Sequence, residues 1–307
     1  MHPGVENIAI GHFSLGNNTV GNSNVSIGVF ALYKSATGVN NVAIGKQALG
    51  NNVGTNNNNA HGHQALLNNT ANSNNAFGYR ALASNTIGTK NSAFGHRALQ
   101  NNTTGANNSA FGYLALISNT TGVRNNAFGN NVLASNTTGI DNNAFGHYAS
   151  IFNTSGLRNS AFGTNALREN LVGNRNNAFG YGTLKNNTDN NNNAFGYKAL
   201  YNNTTGTRNS AFGHQALNAN TISSSNSAFG YKALSASKMD SNSAFGDRTL
   251  AKNTTGRFNS AFGAMALYNN TFGKYNVAVG GQTLFSNTNG TSNVAVGLNT
   301  MYYNVTG

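Results

Sequence analysis

Apolar residues along this chain come in short runs, about four to six long, and Asn, Thr and Gly bound every run. Asn91-Ser92-Ala93-Phe94-Gly95 is followed by Ala98-Leu99, then by Asn101-Asn102-Thr103-Thr104-Gly105, and the order begins again at Asn108-Ser109-Ala110-Phe111-Gly112. No helical periodicity survives such frequent Asn and Gly, which are poor helix formers. The pattern predicts two short strands per repeat, joined by turns.

The glycine that closes Ala-Phe-Gly serves as a ruler. It occurs 18 times, from Gly11 to Gly297; fourteen of the 17 intervals are 17 residues and three are 16 (Gly62 to Gly78, Gly180 to Gly196, Gly230 to Gly246). A fixed period of this length predicts an all-β, parallel β-solenoid or β-roll with one coil per repeat. Coils in register at ~4.8 Å would make a rod of roughly 85 Å. Each column of the repeat then becomes a ladder: Asn91, Asn108 and Asn125; Phe94, Phe111 and Phe128; Leu99, Leu116 and Leu133. We expect the Phe and Leu ladders to be buried. We expect Asn at corners, where it tolerates left-handed backbone and bonds to the Asn above and below. Ala before the Phe leaves room for a close neighbour, and the three shortened intervals should lose their residue in a surface turn. The whole chain, 1–307, reads as one repeat domain: 1–50 with Ile in place of Phe, 51–274 with the regular Phe ladder, and 275–307 with Val. Neither end carries a polar cap, so flanking domains or end-to-end stacking on copies is expected.

Charge changes the picture of the surface. The chain has 18 Lys and Arg against six acids, a net charge of +12, and no Cys or Trp. A disulfide framework or Cys metal site is thereby excluded. Many cations share two columns. Lys90, Arg124, Arg158, Arg175 and Arg208 lie five before the ruler glycine; Arg80, Arg97, Lys198, Lys232 and Arg248 lie two after it. The first column is a candidate polyanion stripe, with acidic glycan or another polyanionic surface favoured over nucleic acid. Solubilising charge at outward turns explains the same pattern. Neither a transmembrane stretch nor a signal peptide is visible.

One after the ruler glycine, Tyr79, His96, Tyr113, His147, Tyr181, Tyr197, His214 and Tyr231 form a candidate surface-binding stripe, with His12 and His63 in the same column. Such a stripe could stack on sugars or a partner, or be a half-buried subunit contact. No two His of the column are in adjacent coils, so they lie at least about 9 Å apart, too far to share a metal. The six acids form no repeated pair, so no catalytic residues, metal or cofactor are expected and the chain is read as non-enzymatic. Thr recurs eight after the glycine in 13 copies, as in Thr103, Thr120 and Thr137. A turn Thr bonding its own backbone is expected there, not an ice-binding array.

Asn-Ser-Ala-Phe-Gly and Asn41-Val42-Ala43-Ile44-Gly45 resemble the head repeats of YadA-like trimeric autotransporter adhesins, and the longer Ala-Leu…Asn-Thr-Thr-Gly pattern is similar to phage and viral fibre repeats. The resemblance implies a left-handed roll, assembly with copies of itself as a side-by-side trimer, and an extracellular, cell-surface or virion-surface location. The function expected is a structural fibre, built end to end or side by side. The alternative is an adhesin head that holds glycans or matrix through the Tyr/His and Lys/Arg stripes.

Overall fold

The structure is a computed structural model that describes residues 4–307. Met1–Pro3, within the Ile-type segment, lie outside the described residues. The chain forms two compact units, the first ending at Leu157 and the second beginning at Arg158. Each is a parallel β-solenoid. Among the described residues the first holds nine strands, from Ile8–Ile10 to Asn143–Phe145, and the second nine, from Ser160–Phe162 to Val294–Val296. Every strand is three residues long, and within each unit successive strands pair in register, as Ser92↔Ser109, Ala93↔Ala110 and Phe94↔Phe111. The 16-residue coils keep that register, as in Asn177↔Asn193. Their missing residue falls in the turn, where Ala71, Asp189 and Met239 supply the carbonyl that Gly supplies in most other coils.

The expectation of two strands per repeat is corrected to one. The Ala-Leu run folds as two consecutive turns: Ala98 N–H donates to the Gly95 carbonyl (3.4 Å), and Asn102 N–H to the Leu99 carbonyl (3.1 Å). The reason is backbone conformation. In every coil the residue two after the ruler glycine and the Leu-column residue have φ near +50°, as in Arg97 (58°) and Leu99 (51°). So does the residue five before the glycine, as in Lys90 (57°). Left-handed residues cannot extend a strand, and each costs about 1–2 kcal/mol in isolation. Val, Ile and Thr, for which φ > 0 is least tolerable, are absent from all three columns although they are common elsewhere in the chain. The inner apolar ladder is therefore Leu, and not a β-branched residue, for a backbone reason.

The left-handed backbone does not belong to the two Asn columns, as the sequence suggested. Both are buried and extend inward as hydrogen-bond ladders. In the column that begins each repeat, Asn108 Oδ1 accepts the backbone N–H of Asn125 (2.9 Å) and its side-chain amide (3.2 Å). In the other column, Asn119 Nδ2 donates to Asn102 Oδ1 (2.8 Å). Between them stands the glycine of Asn-Thr-Thr-Gly: the Gly122 carbonyl accepts from Asn108 (2.8 Å) and Asn119 (3.1 Å). The two ladders thus satisfy buried polar backbone that a thin core would otherwise leave orphaned. Asn102 and Asn119 match the glycosylation acceptor pattern through Thr104 and Thr121, and in the folded chain both amides are buried in the ladder. Thr103 does not bond its own backbone either. Its Oγ1 donates to the Thr120 carbonyl of the next coil (3.1 Å), which also receives the N–H of Thr103, Thr104 and Gly105. The ruler glycine is needed for closeness as well as for φ: a Cβ on Gly95 (φ +138°) would meet the Gly112 carbonyl carbon at 2.7 Å.

The core is Leu and Ala. Leu99, Leu116 and Leu133 are fully buried, as are Ala93 and Ala98, which face it from the strand and from the turn. The expectation of a buried Phe ladder is corrected. Strand side chains alternate, the central Ala points in, and the flanking Ser or Asn and the Phe point out, so Phe94, Phe111 and Phe128 are only half-buried. They stack on one another all the same, with centroids 4.7 Å apart and rings nearly parallel.

Candidate functional site

Two surfaces could carry function, and both arise from the strand and the turn that follows it. The first is the outward face of the strands. In the first unit Phe77, Phe94, Phe111, Phe128 and Phe145 form one unbroken stack, with centroids 4.6–4.7 Å apart. In the second, the stack runs from Phe162 to Phe262. The terminal rungs are the most open, Phe77 at 36% and Phe262 at 41% exposure. Coils beyond the stacks carry Ile10 at the same strand position in the first unit and Val279 and Val296 in the second, all exposed. Beside the Phe line runs a line of Ser, Asn or Val. Neither line holds a Lys, Arg, Asp or Glu in any of the strands, in a chain with 24 such residues elsewhere (18 Lys and Arg, six acids).

The second surface is the column after the ruler glycine. Seven of the stripe's eight residues, joined by His63 of the same column, form two ladders of four. His63, Tyr79, His96 and Tyr113 stack at 5.1–5.4 Å in the first unit. Tyr181, Tyr197, His214 and Tyr231 stack at 5.1–5.5 Å in the second. His147 belongs to neither and leans on Tyr148. The rings are close to parallel along the stack, so their faces are turned to one another and their polar edges outward. Sugar stacking on an open ring face, one expectation for this stripe, is unavailable inside either ladder.

The cation columns divide differently. In the column five before the glycine, Lys90 and Arg124 are separated by Asn107, and Arg124 is paired to Asp141 (2.6 Å). That hydrogen bond, and then the carboxylate charge, raise the Arg124 guanidinium above its ordinary value. In the second unit the column holds Arg158, Arg175, Asn191 and Arg208, so the stripe is broken by a neutral rung there and by an acid in the first unit. The other cation column is coupled to the Tyr ladder. Lys198 lies 5.2 Å from the Tyr197 ring centre and 5.4 Å from that of Tyr201, and Lys232 lies 5.3 Å from that of Tyr231. A side-chain hydrogen bond to Tyr197 raises the Lys198 ammonium above its ordinary value. Tyr201 and Lys185, which sequence reading passed over, complete the group: Lys185 Nζ donates to the Tyr201 hydroxyl at 3.0 Å. Their column varies in residue type from coil to coil, so periodicity alone did not mark it. Among the described residues no cluster of His, Asp or Glu could hold a metal ion, and no helix is long and apolar enough to cross a membrane.

The chain matches no family model, and no curated protein matches it.

Proposed function

We propose that this protein is a structural, non-catalytic component of an extracellular or virion-surface fibre, and that it assembles with copies of itself through the outward strand face. The observation that carries the reading is the uncharged, stacked Phe line. Folding accounts for Leu and Ala, which are buried, but a line of Phe left partly exposed in coil after coil is costly in water and adds little to the core. A second copy is the occupant best matched to it. Its sheet has the same axial spacing, so Phe rungs of one face can settle between those of another, as stacked sheets do. Like-charged copies can approach on this face alone, since +12 of net charge is distributed over the rest of the surface. A trimer, as the resemblance implies, is one closed arrangement of such faces.

Sedimentation velocity across a concentration series, with negative-stain electron microscopy of the same samples, tests the reading. The expected result is side-by-side oligomers whose population grows with concentration. Monomers throughout, up to concentrations of roughly 100 μM where interfaces of standard size are occupied, would overturn it.

A specific observation favours a second role, ligand binding at the Tyr/His ladder: the Lys ammonium groups held over Tyr rings in the second unit.

A further inference from the structure

We propose that the Tyr ladder of the second unit, with Lys185, Lys198 and Lys232, is a binding site for a linear acidic polysaccharide carrying sulfate or carboxylate groups. This rests on the ligand-binding role and is independent of self-association.

Four features point to that ligand. The first is arrangement. Lys198 and Lys232 occupy the same column two coils apart, ~10 Å along the axis, which is the scale of a disaccharide repeat. Lys198 also lies within reach of Lys185 through the ring they share, Tyr201. The row is straight because the coils are in register, and a linear polymer can follow it.

The second feature is orientation of the aromatic rings. Single-stranded nucleic acid is held by open aromatic faces on which bases stack, and neutral sugars also use ring faces. Here the faces of Tyr181, Tyr197, His214 and Tyr231 are turned to one another. The ladder offers hydroxyl and imidazole edges, together with ammonium groups. Those are partners for sulfate and carboxylate oxygens.

The third feature is a niche. Gly182 stands in the cation column, where each of the other coils carries a side chain. Its φ is +62°, and a Cβ there would lie 3.2 Å from the Tyr201 ring. A side chain at this position would press on Tyr201, which must give by a few tenths of an ångström, and crowd the space that Lys185 and Lys198 share around that ring. Glycine costs nothing sterically at left-handed φ, but left-handed φ alone does not demand it, since Arg and Lys occupy the same column elsewhere.

The fourth is electrostatics. Of the four acids of the second unit, Glu169 is paired with Arg168 (2.6 Å), Asp247 lies 3.9 Å from Arg248, and Asp189 and Asp240 accept from the Asn190 side chain and the Ser224 N–H. Lys185, Lys198 and Lys232 have no carboxylate among their ring and hydrogen-bond partners. Held over Tyr rings, they lose less freedom on binding than free surface lysines would.

The test is fluorescence anisotropy with a labelled, sulfated glucosaminoglycan octasaccharide at low salt. Two triple variants carry equal charge loss: K185Q/K198Q/K232Q in the proposed site, and K90Q/R175Q/R208Q in the other cation column. Binding by the site variant should weaken by about tenfold or more with a shallower salt dependence, and by the control variant only about twofold. Gly182→Gln, which refills the niche with all charges in place, should weaken binding severalfold. Equal weakening by both triple variants would reduce the effect to net charge and overturn the site. So would the absence of binding by the unaltered protein. Tighter binding of oligothymidine, or of phosphatidylserine vesicles, would overturn it in favour of nucleic acid or an anionic membrane. Repeating the titration on a protein with Phe111→Ser and Phe212→Ser separates this outcome from the fate of the assembly reading, because the site does not use the Phe line.

Discussion

The Leu column and the Phe column are equally regular and differ in what they touch. Leu99, Leu116 and Leu133 are fully enclosed by the two Ala columns and the Asn ladders of their own chain. Phe94, Phe111 and Phe128 touch one another but are covered by nothing on their outer side. Regularity in the first column follows from folding, because each Leu fills the same thin core in the same left-handed conformation. Regularity in the second needs a further cause. A stacked edge of rings contributes about 0.5–1.5 kcal/mol per pair beyond area burial, which Val or Ile on a half-buried strand face could largely replace, as they do in the outer coils. One coil thus has two sets of apolar residues, an inner set enclosed by the solenoid and an outer set left partly exposed on its face, to which we assign contact with a second copy.

Substitutions at equivalent rungs sharpen this division. The largest effect is expected from Leu116→Ala, which empties a fully enclosed site and should cost about 2–5 kcal/mol in chemical denaturation. Leu116→Ile comes next. The volume is unchanged, yet a β-branched residue at φ 52° should cost about 2 kcal/mol, whereas Leu116→Met should cost less than about 1. If Ile and Met prove equal, the left-handed explanation of the Leu column fails. Phe111→Ser, in the same coil but on the outer face, breaks two ring stacks and should cost the isolated chain about 1–3 kcal/mol while reducing association in sedimentation. The smallest effect is a gain. Ser237 interrupts the second Asn ladder and leaves Asn220 Oδ1 buried without a hydrogen-bond partner. Ser237→Asn should restore the rung and stabilise the second unit by about 1 kcal/mol, read as a higher denaturation midpoint.

The period, the parallel register and the amide ladders were legible in the sequence because each repeats with every coil. Asn91, Asn108 and Asn125 stood out as a column before any coordinate was known. What could not be read was the side on which each column lies. Phe is the largest apolar residue of the repeat, and hydrophobicity alone places it inside. The coil is too thin for it, and the smallest residues, Ala93 and Ala98, are the ones enclosed. The second strand was misread because Ala-Leu is apolar. The sign that it turns was present all the same, in the absence of Val, Ile and Thr from the columns of Arg97 and Leu99. At the candidate site, the Tyr/His column was visible as a column. Its ring orientation was not, and neither was the part played by Tyr201, whose column is mixed in residue type, or by Gly182, which occurs in a single coil.

The central claim, that the inner columns fold the chain and the outer Phe line joins it to copies, is tested most directly by sedimentation of a protein carrying Phe111→Ser and Phe212→Ser, with circular dichroism on the same sample. The account predicts the unaltered spectrum of the solenoid together with a monomer at concentrations where the parent chain is associated. A double variant that associates as strongly as the parent would contradict it, as would one that loses the fold.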